Sequence, residues 1–254
     1  MKKKKSMILN RGVILTVIII VVIAVIGIAG MHFARNEKGK PRIAQREVGI
    51  DVYALEEEVR NTLGPECVAI STDRSSGSGI LWSYDGCVLL VVTAGHLLQE
   101  FTSGEMELWS GEKLTFSGED VQVYPEVDVA IIKLSSQQIQ GGAGNYISEV
   151  QLEIGDAVWM VDSVYGPASG IHEGQVYAVD YFLEDYGAEM LLLAANGTAG
   201  MSGCPVYDEE GRLAAMMSGM SEDGSILAAV PVARILQIVQ ANGSESSLAL
   251  NIDL

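Results

Sequence analysis

Histidine and cysteine are scarce in this chain, with three of each among 254 residues. The cysteines, Cys67, Cys87 and Cys204, do not fall at zinc-site spacings, and the histidines are too few to complete such a site. No metal or cofactor is therefore expected. Whether Cys67 and Cys87 pair or stay free thiols is open at this level, because a bridge requires neighbouring strands. Basic residues are also scarce over most of the length. Nine of the 16 lysines and arginines precede Ile43, and the remaining seven face 32 acidic residues. Nucleic acid is excluded as a partner, since phosphate binding needs a basic footprint. Such acidity suits a soluble domain held off an anionic surface. The sequence has no repeat at solenoid spacing, and no second folded module is expected after its last helix.

What is plentiful is apolar residue, 48% of the chain. Part of it lies in one uncharged run, Val13 to Gly30. A helix over this run would extend about 27 Å, close to the roughly 30 Å hydrocarbon core of a bilayer. The run exceeds the roughly 7–15 apolar residues of a cleaved signal peptide and lacks a clear small-x-small cleavage site. With no polar face, it does not read as a soluble amphipathic helix. It reads as an uncleaved transmembrane signal anchor over residues 12–31. Lys2, Lys3, Lys4, Lys5 and Arg11 precede it, and Arg35, Lys38, Lys40 and Arg42 follow. That small excess makes residues 1–11 a cytoplasmic basic tail and puts the rest outside the cell membrane. Residues 32–50, polar and without apolar periodicity, read as a stalk.

Val52, Leu55, Val59 and Leu63 recur at helical spacing, with Glu56, Glu57, Glu58 and Arg60 on the other faces, and Gly64-Pro65 stops the helix. Short β-rich runs follow between turn signals, at 67–71, 79–84, 87–93, 106–109, 121–124 and 129–134. Asp85-Gly86 between two apolar runs marks a hairpin. A loop rich in Gly, Ser and Gln covers 135–146. Strand-like runs resume at 157–161, 174–179, 189–193, 205–207, 213–218 and 226–231. This spacing indicates an all-β sandwich or barrel in two similar sets. A final helix over Val232–Ala241 ends at Gly243, and residues 244–254 read as a mobile tail.

Three local patterns carry chemistry. Val91-Val92-Thr93-Ala94-Gly95-His96 is a strand followed by a small-small-His turn. In Val127-Asp128-Val129-Ala130-Ile131-Ile132-Lys133-Leu134, an acid heads an apolar strand. In Gly200-Met201-Ser202-Gly203-Cys204-Pro205-Val206, a serine sits in a Gly-lined bend. A serine hydroxyl is a weak nucleophile and needs an adjacent base. His96 can accept its proton and return it to a leaving amine. Asp128, buried behind the ring, would fix the tautomer and stabilise the imidazolium. The glycines would let the N–H groups of Gly200 and Ser202 face a developing oxyanion. The order His, Asp, Ser separates this set from the subtilisin and α/β-hydrolase orders. Rival acids are Asp120, Asp156 and Asp162. His32 and His172 lack any such setting, and Ser78, in a Gly-Ser-Gly turn, reads as loop chemistry. Cys204 reads as a buried neighbour of the site rather than a thiol nucleophile.

Together these segments resemble the trypsin-like serine proteases, and among them the bacterial HtrA/Deg type. The resemblance covers about Cys67 to Gln240. It includes Gly77-Ser78-Gly79-Ile80, the TAGH and VDVAIIKL segments, Gly155-Asp156-Ala157-Val158, Gly174-Gln175-Val176, GMSGCPVYDEEGRL and Ala229-Val230-Pro231-Val232. It implies two six-stranded antiparallel Greek-key β-barrels, about 66–135 and 147–231, within a protease domain over 51–243. It also implies a catalytic triad of His96, Asp128 and Ser202 and polypeptide substrates. By the same resemblance, Asn196, Thr198 and Ala199 belong to a wall of the primary pocket, and Met216, Met217 and Ser218 to the strand that pairs with substrate backbone. No acid stands in that wall, so a small or medium apolar side chain is expected there rather than Arg or Lys. The chain departs from the pattern in three ways. Cys204 replaces a glycine, Met201 replaces an Asp or Asn, and no peptide-binding PDZ module is expected after the domain. Met201 cannot form the ion pair through which a freed N-terminus activates digestive zymogens. The expected function is endopeptidase action on exported or unfolded proteins. A weakly catalytic protease-fold protein that binds or senses peptides is the alternative.

Overall fold

The computed structural model describes residues 52–135 and 152–241. The expected basic tail, membrane segment, stalk and C-terminal tail, and residues 136–146 of the expected loop, lie outside the described residues. Among the described residues no helix is long and apolar enough to cross a membrane.

Helix α1, Val52–Leu63, leads into a short 3-10 turn at Gly64–Glu66. Val59 and Leu63, one helical turn apart, are buried, while Glu57 and Glu58 face solvent. Arg60 Nε donates to the Ala168 carbonyl at 2.9 Å, which ties this helix to the second half of the domain.

The first sheet holds β1 (Cys67–Thr72), β2 (Ser76–Tyr84), β3 (Val88–Ala94), β4 (Ser103–Glu107), β5 (Lys113–Ser117), β6 (Val121–Tyr124) and β7 (Val129–Ser135). Their order is β5-β4-β1-β2-β3-β7-β6, with every pairing antiparallel. Central β3 is buried on both faces from Leu89 to Ala94, and its neighbour β7 from Val129 to Ile132, before Lys133 reaches solvent. The Asp85-Gly86 turn joins β2 to β3, and Asp85 Oδ1 accepts the N–H groups of Cys87 and Val88.

The second sheet is a closed barrel of β8 (Ala157–Asp162), β9 (Gly170–Leu183), β10 (Ala188–Ala194), β11 (Pro205–Tyr207), β12 (Leu213–Met220) and β13 (Ile226–Pro231). Helix α2, Val232–Ala241, follows and buries Val232, Ile235 and Val239 along one face. Buried Tyr207 donates its hydroxyl to buried Glu66 across 141 positions of sequence.

The two-barrel expectation holds for the second half, which has six strands and is closed. The first half differs: it is a seven-stranded sheet. The extra strand is β5, whose pattern is mostly polar and which buries Phe116 alone, so it carried little periodic signal. The run expected at 106–109 begins earlier, at Ser103. A turn ends it, in which Gly111 donates its N–H to the Leu108 carbonyl at 2.8 Å. Trp109 leaves the strand and packs against Gly64. All three thiols are free, and β2 lies between the strand of Cys67 and that following Cys87, so these two do not pair.

Phe116 is the side chain that seats the extra strand. Its ring lies on Gly104 and 5.5 Å from that of Phe101. Phe116→Ala is expected to destabilise the domain by about 3 kcal/mol, the lower end for burying and then deleting such a ring. Half-buried Leu114→Ala is expected to cost less, and urea denaturation of both variants measures the difference.

Candidate active site

Strand β3 runs extended to Ala94, and a 3-10 turn at Gly95–Leu98 then carries His96 off the end of the sheet. Ala94 pairs with Val129, so Asp128 lies beside Gly95. Gly95 donates its N–H to the Asp128 carbonyl at 2.9 Å. Asp128 itself adopts a left-handed backbone, φ 52° and ψ 44°, which aspartate tolerates better than most residues. Its carboxylate accepts the His96 backbone N–H at 2.7 Å and stands 2.9 and 3.1 Å from ring Nδ1. Ser218 donates its hydroxyl to the same carboxylate. Asp128 is 7% exposed, so its charge is held by these donors rather than by water. A carboxylate on Nδ1 selects the tautomer with the proton there and leaves Nε2 as an acceptor.

The serine comes from the other sheet. Ser202 Oγ lies 3.0 Å from His96 Nε2 and 3.4 Å from the Ser218 carbonyl. Its bend needs glycine on both sides. Gly200 and Gly203 have φ of +94° and +84°, and a Cβ on Gly203 would occupy the place of the Ser78 carbonyl and Thr93 Oγ1. Neither the Gly200 nor the Ser202 N–H donates to a partner among the described residues.

The Cys204 side chain does not crowd this bend. The residue donates its N–H to the Met201 carbonyl and accepts that of Met217, both at 2.9 Å, while its side chain enters the apolar core of the barrel. Burial, helped by the charge of Asp162, pushes the Cys204 thiol well above its ordinary range, so it stays protonated and unreactive. Met201 lies in the same core, where its sulfur accepts the Thr198 N–H at 3.2 Å.

Asn196, Thr198 and Ala199 are exposed in the segment before the bend. Gly197 between them donates to the Gly224 carbonyl at 2.8 Å. A Cβ on Gly197 would lie 2.5 Å from Leu227 Cδ2 and 3.0 Å from Met220 Sδ, so those two side chains fill the space beside it. Met216 and Met217 send their side chains into the core, which leaves only their backbone for a ligand. Ser218 is the member of that trio beside the serine. Sequence reasoning missed Tyr186, whose phenol lies on Gly219 from the turn after β9. Desolvation raises its pKa, opposed by a hydrogen bond with Ser218. An aromatic in a polar turn gave no signal of that reach.

The rival acids have other work. Asp120 accepts the Ser117 N–H and hydroxyl at 2.8 and 3.0 Å, and Asp156 accepts the Glu153 N–H at 2.7 Å. Asp162 is buried with His172, their side chains 2.5 Å apart, so His172 is not incidental. Burial raises the Asp162 carboxyl, but hydrogen bonds from His172, the Val164 N–H and Ser169 outweigh it and leave it below the usual aspartate range.

A depressed folded pKa contributes stability above the ordinary value of about 4, and that stability is lost as pH falls through the folded pKa. Asp162→Asn is therefore expected to cost about 2 kcal/mol at neutral pH, as for losing charge-assisted hydrogen bonds. The gap to wild type should close on acidification below about pH 4, followed by urea denaturation at each pH. A thiol reagent is expected to modify exposed Cys87 in the native protein and to reach buried Cys67 and Cys204 only on unfolding.

Residues 77–216 match the trypsin-like peptidase domain. No curated protein matches the sequence significantly. Among solved structures, Rv3671c from M. tuberculosis H37Rv, as an inactive Ser-to-Ala mutant, aligns with a TM-score of 0.59 at 17% identity, over 74% of this chain and 91% of that one. The HtrA-type protease AlgW with a tripeptide aligns with a TM-score of 0.61 at 18% identity, over 73% of this chain and 62% of that one. Deg5 aligns with a TM-score of 0.57 at 18% identity, over 72% and 93%. At such identities the likeness is one of fold. The family match extends over more than half of the sequence and includes the bend that carries Ser202, and on that basis the chain belongs to the trypsin-like peptidase domain family.

Proposed function

We propose that this protein is a serine endopeptidase in which Ser202 attacks the scissile carbonyl, His96 moves the proton and Asp128 holds His96. The observation that carries the reading is the 3.0 Å contact between Ser202 Oγ and His96 Nε2, with Nδ1 of the same ring on a buried carboxylate. Attack by Oγ transfers its proton to Nε2 and places negative charge on the former carbonyl oxygen. The Asp128 carboxylate stabilises the resulting imidazolium. The N–H groups of Gly200 and Ser202 would receive the oxyanion, a role worth about 10²–10³ in rate per donor in comparable sites. His96 then returns the proton to the leaving amine, and water repeats the sequence on the acyl-enzyme.

A small apolar side chain is the proposed preference beside the scissile bond. Met220 and Leu227 take up room next to Gly197, and no acid stands at 196–199 to pair with Arg or Lys. Substrate backbone would lie along the end of β12, where Met216 and Met217 bury their side chains and leave their backbone for pairing. We further propose that residues 12–31 anchor the protein in a cell membrane, with residues 1–11 cytoplasmic and the 51–243 domain outside. The uncharged run and the lysine cluster before it support that placement. Exported or unfolded polypeptides would then be the substrates. The burial of the Cys204 side chain in the barrel core weakens the alternative of a weakly catalytic protein that binds or senses peptides.

A fluorophosphonate probe is expected to label wild-type protein at Ser202 and to leave Ser202→Ala and His96→Ala unlabelled. Peptide hydrolysis should fall on the order of a million-fold in either variant and on the order of ten-thousand-fold in Asp128→Asn, as for comparable triads. A folded wild-type protein that takes up no label would sink the reading. Met220→Ala is expected to shift peptide preference toward larger apolar residues, which a substrate panel checks.

A further inference from the structure

Ser78 is the third residue of β2 and lies between two glycines, a composition that suggests a turn, yet the structure leaves it with no exposed surface. It lies at the joint between the two sheets, and each of its polar groups is engaged there. Its N–H donates to the Ser202 carbonyl at 2.8 Å. The hydroxyl donates to the Gly200 carbonyl at 3.2 Å and accepts the Ser163 N–H at 2.9 Å. Its own carbonyl accepts the Thr93 hydroxyl at 2.6 Å.

These contacts bracket the two amides assigned above to the oxyanion. The Gly200 carbonyl belongs to the peptide that follows the Gly200 amide, and the Ser202 carbonyl to the peptide that follows the Ser202 amide. Gly200, with φ of +94° and no side chain, has little of its own to prevent rotation of that segment. Rotation would turn a carbonyl rather than an N–H toward the substrate. The hydroxyl of Ser78 fixes the Gly200 carbonyl from behind, and the side chain of Val164 packs against Gly200 on another side. The Ser163 amide that orients this hydroxyl is itself set by the Asp162 turn, where Asp162 Oδ1 accepts the Val164 N–H at 2.9 Å.

We infer that Ser78 is a positioning residue of the proposed peptidase, whose hydroxyl holds the Gly200–Ser202 segment with its two amides directed at the developing oxyanion. It touches no reacting atom. The inference rests on the serine-peptidase reading and adds a determinant of rate from the opposite sheet. Removing the hydroxyl leaves the backbone bond to Ser202 in place and frees the Gly200 carbonyl. Loss of one oxyanion donor outright lowers turnover by about 10²–10³, so loosening a donor should lower it by about ten- to a hundred-fold.

The test is saturation labelling of the full chain by a fluorophosphonate probe, whose phosphoryl oxygen takes the oxyanion position. Ser78→Ala is expected to lower the limiting labelling rate about ten-fold or more while the half-saturating concentration holds, by loss of amide positioning. Ser78→Cys, which keeps the side-chain atom count and a weak donor, should recover part of that rate. Phe116→Ala, destabilised far from the loop, should label at the wild-type limiting rate at a temperature where it is folded. That control separates positioning from general loss of structure, and near-ultraviolet circular dichroism confirms folding of each variant. A folded Ser78→Ala protein with the wild-type limiting rate, or one whose loss Phe116→Ala matches, overturns the inference alone. A folded wild type that takes no label overturns both the inference and the peptidase reading beneath it.

Discussion

The Asp128 carboxylate is the interaction on which the rest of the site depends. It is buried, it carries charge into an apolar joint, and it is tolerated there because three donors from two separate stretches converge on it. The His96 amide and ring come from the end of β3, and the Ser218 hydroxyl from β12 of the other sheet. A buried carboxylate without such donors would be costly. The same burial that makes the donors necessary also makes their geometry rigid, since none can be exchanged for water. Ring orientation, tautomer and the docking of one sheet on the other are thus fixed by one group.

Around that group the work is divided by sheet. The N-terminal sheet contributes His96 and Asp128 on neighbouring strand ends, while the closed barrel contributes Ser202 on a bend that only glycines permit. A hydrogen bond such as that from Ser78 to Ser202 therefore reports on the fit between two independently built units. A bend with glycines at 200 and 203 has little intrinsic preference for its shape, so its definition has to come from outside it. Secondary structure supplies part of this through the Gly203 amide, which donates to the Met217 carbonyl at 2.7 Å.

Much of this was legible from residue order. His96, Asp128 and Ser202 each sit at a strand end announced by an apolar run, and strand ends are easier to read than surfaces. Strands at 121–124, 205–207 and 226–231 and the helix at 232–241 stand where apolar periodicity puts them. The polar strand β5 was not legible, because a sheet edge wet on one side needs only one buried residue, Phe116. Nor were the roles of Ser78, Tyr186 and the pair Asp162 with His172. Each acts through a partner distant in sequence, and no local pattern encodes such a partner. Ser78 was read as a turn because its two glycine neighbours say turn; the structure uses their small size instead to bring backbones together.

The three free thiols have a consequence for durability. No covalent cross-link joins the sheets or closes a loop in this domain, so nothing limits how far the chain can open once it begins to. If the proposed peptidase activity is present, neighbouring copies of the protein are themselves part of the hazard. How long a molecule lasts among its neighbours is then a matter of rate, set by the barrier to unfolding rather than by equilibrium stability. Buried hydrogen bonds across the joint, such as that between Tyr207 and Glu66, raise that barrier to the extent that they break before the transition state is reached.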